Sequence, residues 1–183
     1  MRRQLWTFLI GAFAFGGLAT TGASAQVDKP ISIEARGTAM LPTFDIADAA
    51  DLGFGGGLGI GYRVTERVRL MADVDIGIHG TNTPDFNINT YHYIGKIGYD
   101  VVDNDNVVLT LNLGAGAMTF GGDLPSSQTY FAINAGAKLG IKVSPMVDVL
   151  ISPQGDIAFA DEADLGTTNA WVWPLGAGFR VRF

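Results

Sequence analysis

The stretch from Asn169 to Phe183, N-A-W-V-W-P-L-G-A-G-F-R-V-R-F, constrains the fold of this chain more than any other. Counting back from the end, every second position is apolar: Phe183, Val181, Phe179, Ala177, Leu175, Trp173 and Trp171. Between them lie Arg182, Arg180, Gly178, Gly176, Pro174, Val172 and Ala170. Successive side chains of a β-strand point to opposite sides of the sheet, so this pattern predicts one strand with a continuous apolar face. The row outruns the usual five or six residues of a soluble strand and is long enough to cross hydrocarbon as a tilted strand. Arginine and glycine occupy the other face.

A strand that ends the chain on an aromatic, with Phe179, Val181 and Phe183 in one row, resembles the carboxy-terminal assembly signal of bacterial outer-membrane β-barrel proteins. The resemblance is to the small OmpA-like, OmpX-like and opacity-like barrels. It implies that the barrel-assembly machinery reads this strand and that Phe183 is a recognition handle as well as a lipid-facing residue. The residue-level likeness is confined to this last strand.

The same alternation returns seven times upstream, with its phase reset after each turn. Ile31, Ile33 and Ala35 oppose Ser32, Glu34 and Arg36; Phe54, Leu58, Ile60, Tyr62 and Val64 oppose Arg63 and a row of glycines. A face of glycines suggests that bulky inward residues of other strands need room there. Val68, Leu70, Ala72, Val74, Ile76 and Ile78 oppose Arg69, Asp73, Asp75 and His79; Tyr91, Tyr93, Ile97 and Tyr99 oppose His92, Lys96 and Asp100. Leu109, Leu111 and Leu113 mark a fifth run, Phe131, Ile133, Leu139 and Ile141 a sixth opposite Asn134, Lys138 and Lys142, and Val147, Val149, Ile151, Ile157 and Phe159 a seventh opposite Asp148, Gln154 and Asp156. Pro153 interrupts the seventh and predicts a bulge or a local bend. The expected fold is all-β: an eight-stranded antiparallel up-and-down transmembrane barrel.

Short turns at Thr65-Glu66, Asp103 to Asn106 and Ser144-Pro145 share one end with both chain ends, which in outer-membrane barrels faces the periplasm. Long loops, Leu41 to Leu52, Gly80 to Asn87, Gly121 to Ser127 and Asp161 to Thr168, then face outward. Tyr91, Tyr93, Phe131, Phe159, Trp171 and Trp173 collect near the long-loop ends as one aromatic girdle, and Tyr62, Tyr99, Phe179 and Phe183 near the short turns as another.

Residues 1–25 read as a cleaved secretory signal: Arg2 and Arg3, an apolar core from Leu5 to Leu18, and Ala23-Ser24-Ala25 as the cleavage box. The barrel domain is then 26–183. Removing Arg2 and Arg3 from the 12 basic residues leaves 10 against 18 acids, a mature charge of −8. That balance excludes a nucleic-acid partner. With no cysteine, disulfides, thiol catalysis, zinc–cysteine sites and a lipid-modified cysteine anchor are all excluded. A chain ending at Phe183 leaves no wall-binding domain behind the barrel, and a monomer is expected.

Eight strands enclose a space that side chains fill. The inward charges Glu34, Arg36, Asp73, Asp75, Lys96, Lys138, Asp148 and Asp156 have both signs and predict a salt-bridged plug at one depth, with the more basic Arg63, Arg67, Arg69, Lys142, Arg180 and Arg182 below it pairing with Asp100 and Asp148. The outer loops hold Asp45, Asp48, Asp51, Asp85, Asp123, Asp161, Glu162 and Asp164 and no lysine or arginine. They form an acidic rim beside outer-membrane lipid and lipopolysaccharide, a contact that divalent cations would bridge. No EF-hand, Walker, serine-elbow or complete dinucleotide motif is present, and neither a cofactor nor a metal site is expected. His79 and His92 flank one loop, and a pairing register summing to 171 would set them face to face. The reading is an integral outer-membrane barrel, not an enzyme, with a structural or surface-interaction role. The alternatives are a soluble periplasmic lipocalin-like barrel with its apolar rows inside, a narrow pore, and a lipid-A-modifying enzyme.

Overall fold

The computed structural model describes residues 29–183, so the signal-peptide reading lies outside the described residues. Eight strands run in sequence order: β1 Ile31–Thr43, β2 Gly53–Arg63, β3 Val68–Gly80, β4 Asn87–Asp103, β5 Val107–Gly122, β6 Gln128–Lys142, β7 Val147–Phe159 and β8 Asn169–Arg182. Each pairs antiparallel with the next, and β8 returns to β1, closing the sheet. Phe183 joins the seam: its N–H donates to Ile31 O at 2.9 Å and its carbonyl accepts from Ile31 N at 3.4 Å. Following paired residues round the wall from Ser32 through Gly61, Met71, Lys96, Gly114, Asn134, Asp156 and Val172 returns to β1 at Pro42, a stagger of ten residues. A closed sheet of eight strands with such a stagger has its strands tilted by about 35–45° to the axis.

The apolar rows lie outside. Leu58, Ile60, Ile97, Leu113 and Phe179 are exposed, whereas Glu34, Asp73, Lys138 and Arg180 are buried in the lumen. This overturns the lipocalin-like alternative, which needs the opposite facing. The three short turns use one device: Thr65 Oγ1, Asn104 Oδ1 and Ser144 Oγ each accept from two backbone N–H groups further along the turn.

Several expectations need correction. The first long connection is shorter than expected, because β1 continues to Thr43 and a 3-10 helix, Phe44–Asp48, follows it directly. Likewise β5 runs on to Gly122. Pro153 makes no bulge: the β6–β7 and β7–β8 registers are the same on both sides of it, although pairing lapses for two residues on each edge. The register shift falls in β4 instead, between Asp100 and Val102. Pro153 faces outward and has no N–H to give a neighbouring strand, in keeping with the lapse in its pairing with β6, and the flat ring of Trp173 covers the nearby Gly155, whose added Cβ would lie 2.8 Å from Trp173 Cζ3.

Candidate functional site

The lumen is the part of the molecule where charged side chains meet, and it is layered along the barrel axis. In the middle layer Arg36, from β1, holds Asp75 of β3 in a two-pronged bond, Nη2 to Oδ2 at 2.6 Å and Nε to Oδ1 at 3.0 Å. The same guanidinium reaches Glu34 and Asp73 at 3.3 Å each. Lys138 of β6 crosses the lumen to Glu34 Oε2 at 2.6 Å and Asp73 Oδ2 at 2.9 Å. Lys96 of β4 adds a contact to Asp73 at 2.8 Å and donates to Gln154 Oε1 at 3.0 Å. Three acids and three bases therefore interlock from four strands.

The glycine face of β2 makes this possible. A Cβ at Gly57 would collide with Asp75 Oδ1, and one at Gly59 would sit 2.5 Å from Asp73 Oδ1. Of the expected network, Asp156 stands apart: it lies higher, accepts from His92 Nδ1 at 2.6 Å and from Asn134 Nδ2. Conversely Arg180, expected with the lower basic group, joins the network by donating from Nε to Glu34 Oε1 at 2.8 Å. The β1–β8 register sets Arg180 directly opposite Glu34, and side-chain periodicity does not encode which residues of neighbouring strands meet.

Below the network, Asp100 binds Arg69 Nε at 2.8 Å and Arg63 Nη2 at 3.2 Å and accepts from Thr110 Oγ1 at 2.6 Å. Asp148 pairs here with Arg182 Nη2 at 2.8 Å, as expected of the lower group, rather than with the charges of the plug. Lys142 pairs with Asp103 at 2.6 Å rather than with Asp100 or Asp148. Arg67 is exposed and donates to Tyr99 Oη at 3.3 Å, so it is no part of the interior. Above the network the lumen turns apolar, which the sequence reading missed. Met40, Met118, Phe120, Val172, Ala132, Ala158 and Ala170 point inward and are closed over by Ile46 and Ala50 from the first loop and by Phe86, Leu124 and Leu165. Met40, Met118 and Phe120 in inward phase next to long loops were the available signal.

His79 and His92 do not face each other. The β3–β4 register pairs His79 with Ile88 and His92 with Asp75. His79 instead bonds Asp51 O through Nδ1 at 2.9 Å and Thr90 Oγ1 through Nε2 at 3.1 Å. Among the described residues no group of three His, Asp or Glu side chains is placed to hold a metal. Two of the loop acids tie outer loops together, Asp45 accepting from Thr167 Oγ1 and Asp123 from Asn87 N, and a third, Asp161, accepts from Ala163 N within its own loop and caps the helical turn α1, Glu162–Leu165.

The aromatic side chains face outward as expected. Phe131 and Phe159 stack with centroids 6.0 Å apart, Trp171 and Trp173 at 6.4 Å, and Phe44 meets Trp171 edge-on at 5.5 Å. Tyr93 is exposed and Tyr91 half-buried on the same band. Phe179 and Phe183 are exposed at the opposite end, and Val181 between them is half-buried.

Comparison with solved structures finds the same fold. Neisserial surface protein A is 20% identical with a TM-score of 0.71, over 84% of this chain and 97% of that one. The outer membrane protein OprG of Pseudomonas aeruginosa is 14% identical with a TM-score of 0.60, over 85% and 96%. The N-terminal β-barrel domain of Pseudomonas aeruginosa OprF is 18% identical with a TM-score of 0.50, over 81% and 96%. No curated protein matches the sequence significantly. Residues 11–183 match the outer membrane protein beta-barrel domain. With its apolar rows outside, its charges inside and that match across most of its length, the chain belongs to the family of bacterial outer-membrane β-barrel domains.

Proposed function

We propose that this protein is a closed, non-catalytic barrel that acts through the surface it presents outside the cell. The observation that carries this reading is the interlocked middle layer of Glu34, Arg36, Asp73, Asp75, Lys96 and Lys138, which occupies the cross-section of the lumen. An ion passing it would have to part pairs held away from bulk water, where opposite charges attract far more strongly than in solution. The apolar layer above adds a second obstruction.

A non-enzymatic role is supported by the state of the residues with catalytic potential. His79 and His92 face the lumen and are engaged in hydrogen bonds, and Ser126 lies in an exposed loop accepting from Gln128. Function then falls to the four outer loops, whose acids meet outer-membrane lipid and lipopolysaccharide, with divalent cations as the bridge between like charges. The similar Neisserial protein is named a surface protein, in line with this reading. During biogenesis the strand bearing Phe179, Val181 and Phe183 is the segment offered to the barrel-assembly machinery, and the finished barrel is a monomer. Planar-bilayer recording tests the closed interior: the purified barrel should give no steady conductance at neutral pH, and a stable open level in the wild-type protein would refute the plug.

A further inference from the structure

The lower lumen carries more cations than anions. Arg63, Arg69, Lys142, Arg180 and Arg182 are set against Asp100, Asp103 and Asp148, and the surplus persists when the middle layer that Arg180 joins is counted in, eight cations facing six acids. The two most deeply buried arginines are ion-paired but short of hydrogen-bond acceptors. Arg180 is 0% exposed and Arg69 4%. Arg180 spends only Nε in a hydrogen bond, to Glu34; its Nη1 and Nη2 have no hydrogen-bond partner, although Nη1 forms an ion pair with Asp148 Oδ2 at 3.7 Å. Arg69 spends Nε on Asp100 and leaves Nη2 without a partner. The two guanidinium groups repel each other. Asn112, 4% exposed, offers a buried amide with neither its nitrogen nor its oxygen bonded.

These donors stand on β3, β8 and β5: Arg69 and Asn112 share one row of the wall with only Gly98 of β4 between them, and Arg180 is near enough for its charge to act on Arg69. Their N–H groups without hydrogen-bond partners therefore face the same part of the lumen. Each arginine has an acid beside it, Glu34 and Asp148 for Arg180 and Asp100 for Arg69, so water would supply the missing hydrogen bonds but would leave the surplus of cations over anions unbalanced. A negative ion answers both needs, and charge-assisted bonds from guanidinium to an anion are the strong ones. We propose that a small inorganic anion binds inside the lower barrel, held by Arg69, Arg180 and Asn112. Access is from the short-turn end, where a cleft of about 380 Å³ is lined by Lys142 and Arg182 and another of about 320 Å³ by Arg63 and Asp100. This goes beyond the closed-barrel reading, since a bound anion neither needs nor creates a path through the middle layer.

The test is chloride NMR on the full barrel refolded in a zwitterionic detergent. Wild-type protein should broaden the chloride line beyond detergent alone, saturably, and inorganic phosphate should compete. Arg180→Met should return the line width to that of detergent, and Asn112→Leu, which changes no charge and so spares the ion-pair network, should weaken binding several-fold. Heat-modifiable gel mobility reports whether each variant is folded; if Arg180→Met fails to fold, Asn112→Leu decides alone. No broadening by the wild-type barrel, which would mean hydration only, or broadening unchanged in a folded variant, would overturn the site.

Discussion

Lys138 is the side chain on which the interior most depends, because it alone bridges Glu34 and Asp73 from across the lumen. Replacing it by Met keeps most of the volume and removes the charge, leaving two carboxylates facing each other with one cation fewer. Breaking a buried pair by removing one partner costs about 3–5 kcal/mol, so Lys138→Met should lower the urea midpoint of unfolding by a corresponding amount. Adding Glu34→Gln should restore part of that loss despite removing another ionic group, since the second change relieves the excess of acid. Equal midpoints for Lys138→Met and wild type would show that the lumen is hydrated well enough to make the pairing unimportant. The signs and inward phase of these residues were legible from alternation alone, as was the reason for glycine at Gly57 and Gly59. What alternation did not reveal was register. Asp156 and Arg180 changed places in the network because the stagger between strands sets Arg180 opposite Glu34 and Asp156 opposite Asn134, and stagger is not written in a period of two.

All eight strands were legible, because lipid on one side and a filled lumen on the other impose a facing at nearly every position. Their ends were less so. The strands β1 and β5 outrun the expected loop boundaries where inward residues near their ends, Met40 and Phe120, are covered by loop side chains and stay apolar. Register between strands was the other hidden quantity: a sum of 171 for β3 and β4 looked natural from the loop flanks, but Val68 pairs with Tyr99 and separates the two histidines. Strand β8 is where sequence and architecture agree most fully, since its end closes the barrel against β1. Phe183→Ala keeps both backbone bonds to Ile31 and removes only the exposed ring. It should refold in detergent like wild type but accumulate less in the outer membrane of cells, read as the fraction of heat-modifiable protein in that membrane. Equal accumulation would mean that the ring is not what the assembly machinery reads.

The whole molecule has two unlike ends, and its orientation follows from them. At one end three turns of minimal length, each locked by a side-chain acceptor, lie beside both ends of the barrel wall. At the other, longer loops rise from the wall and carry the acids. Outer-membrane barrels keep their short turns on the periplasmic side and their longer loops on the outer side, so the acidic loops belong outside. The absence of cysteine from the sequence makes this directly measurable. Ser126→Cys places a thiol in an exposed outer loop, and Ser144→Cys places one in an exposed short turn. A membrane-impermeant maleimide added to intact cells should label the first and spare the second, and both should react once the outer membrane is permeabilised. Because Ser144 Oγ accepts from Met146 N and Val147 N, its replacement by a weaker acceptor loosens that turn without touching the wall, and the folded band on a gel should persist. The reverse labelling pattern would invert the barrel, and would put the excess of buried arginine, with its clefts, at the cell surface instead of the periplasm.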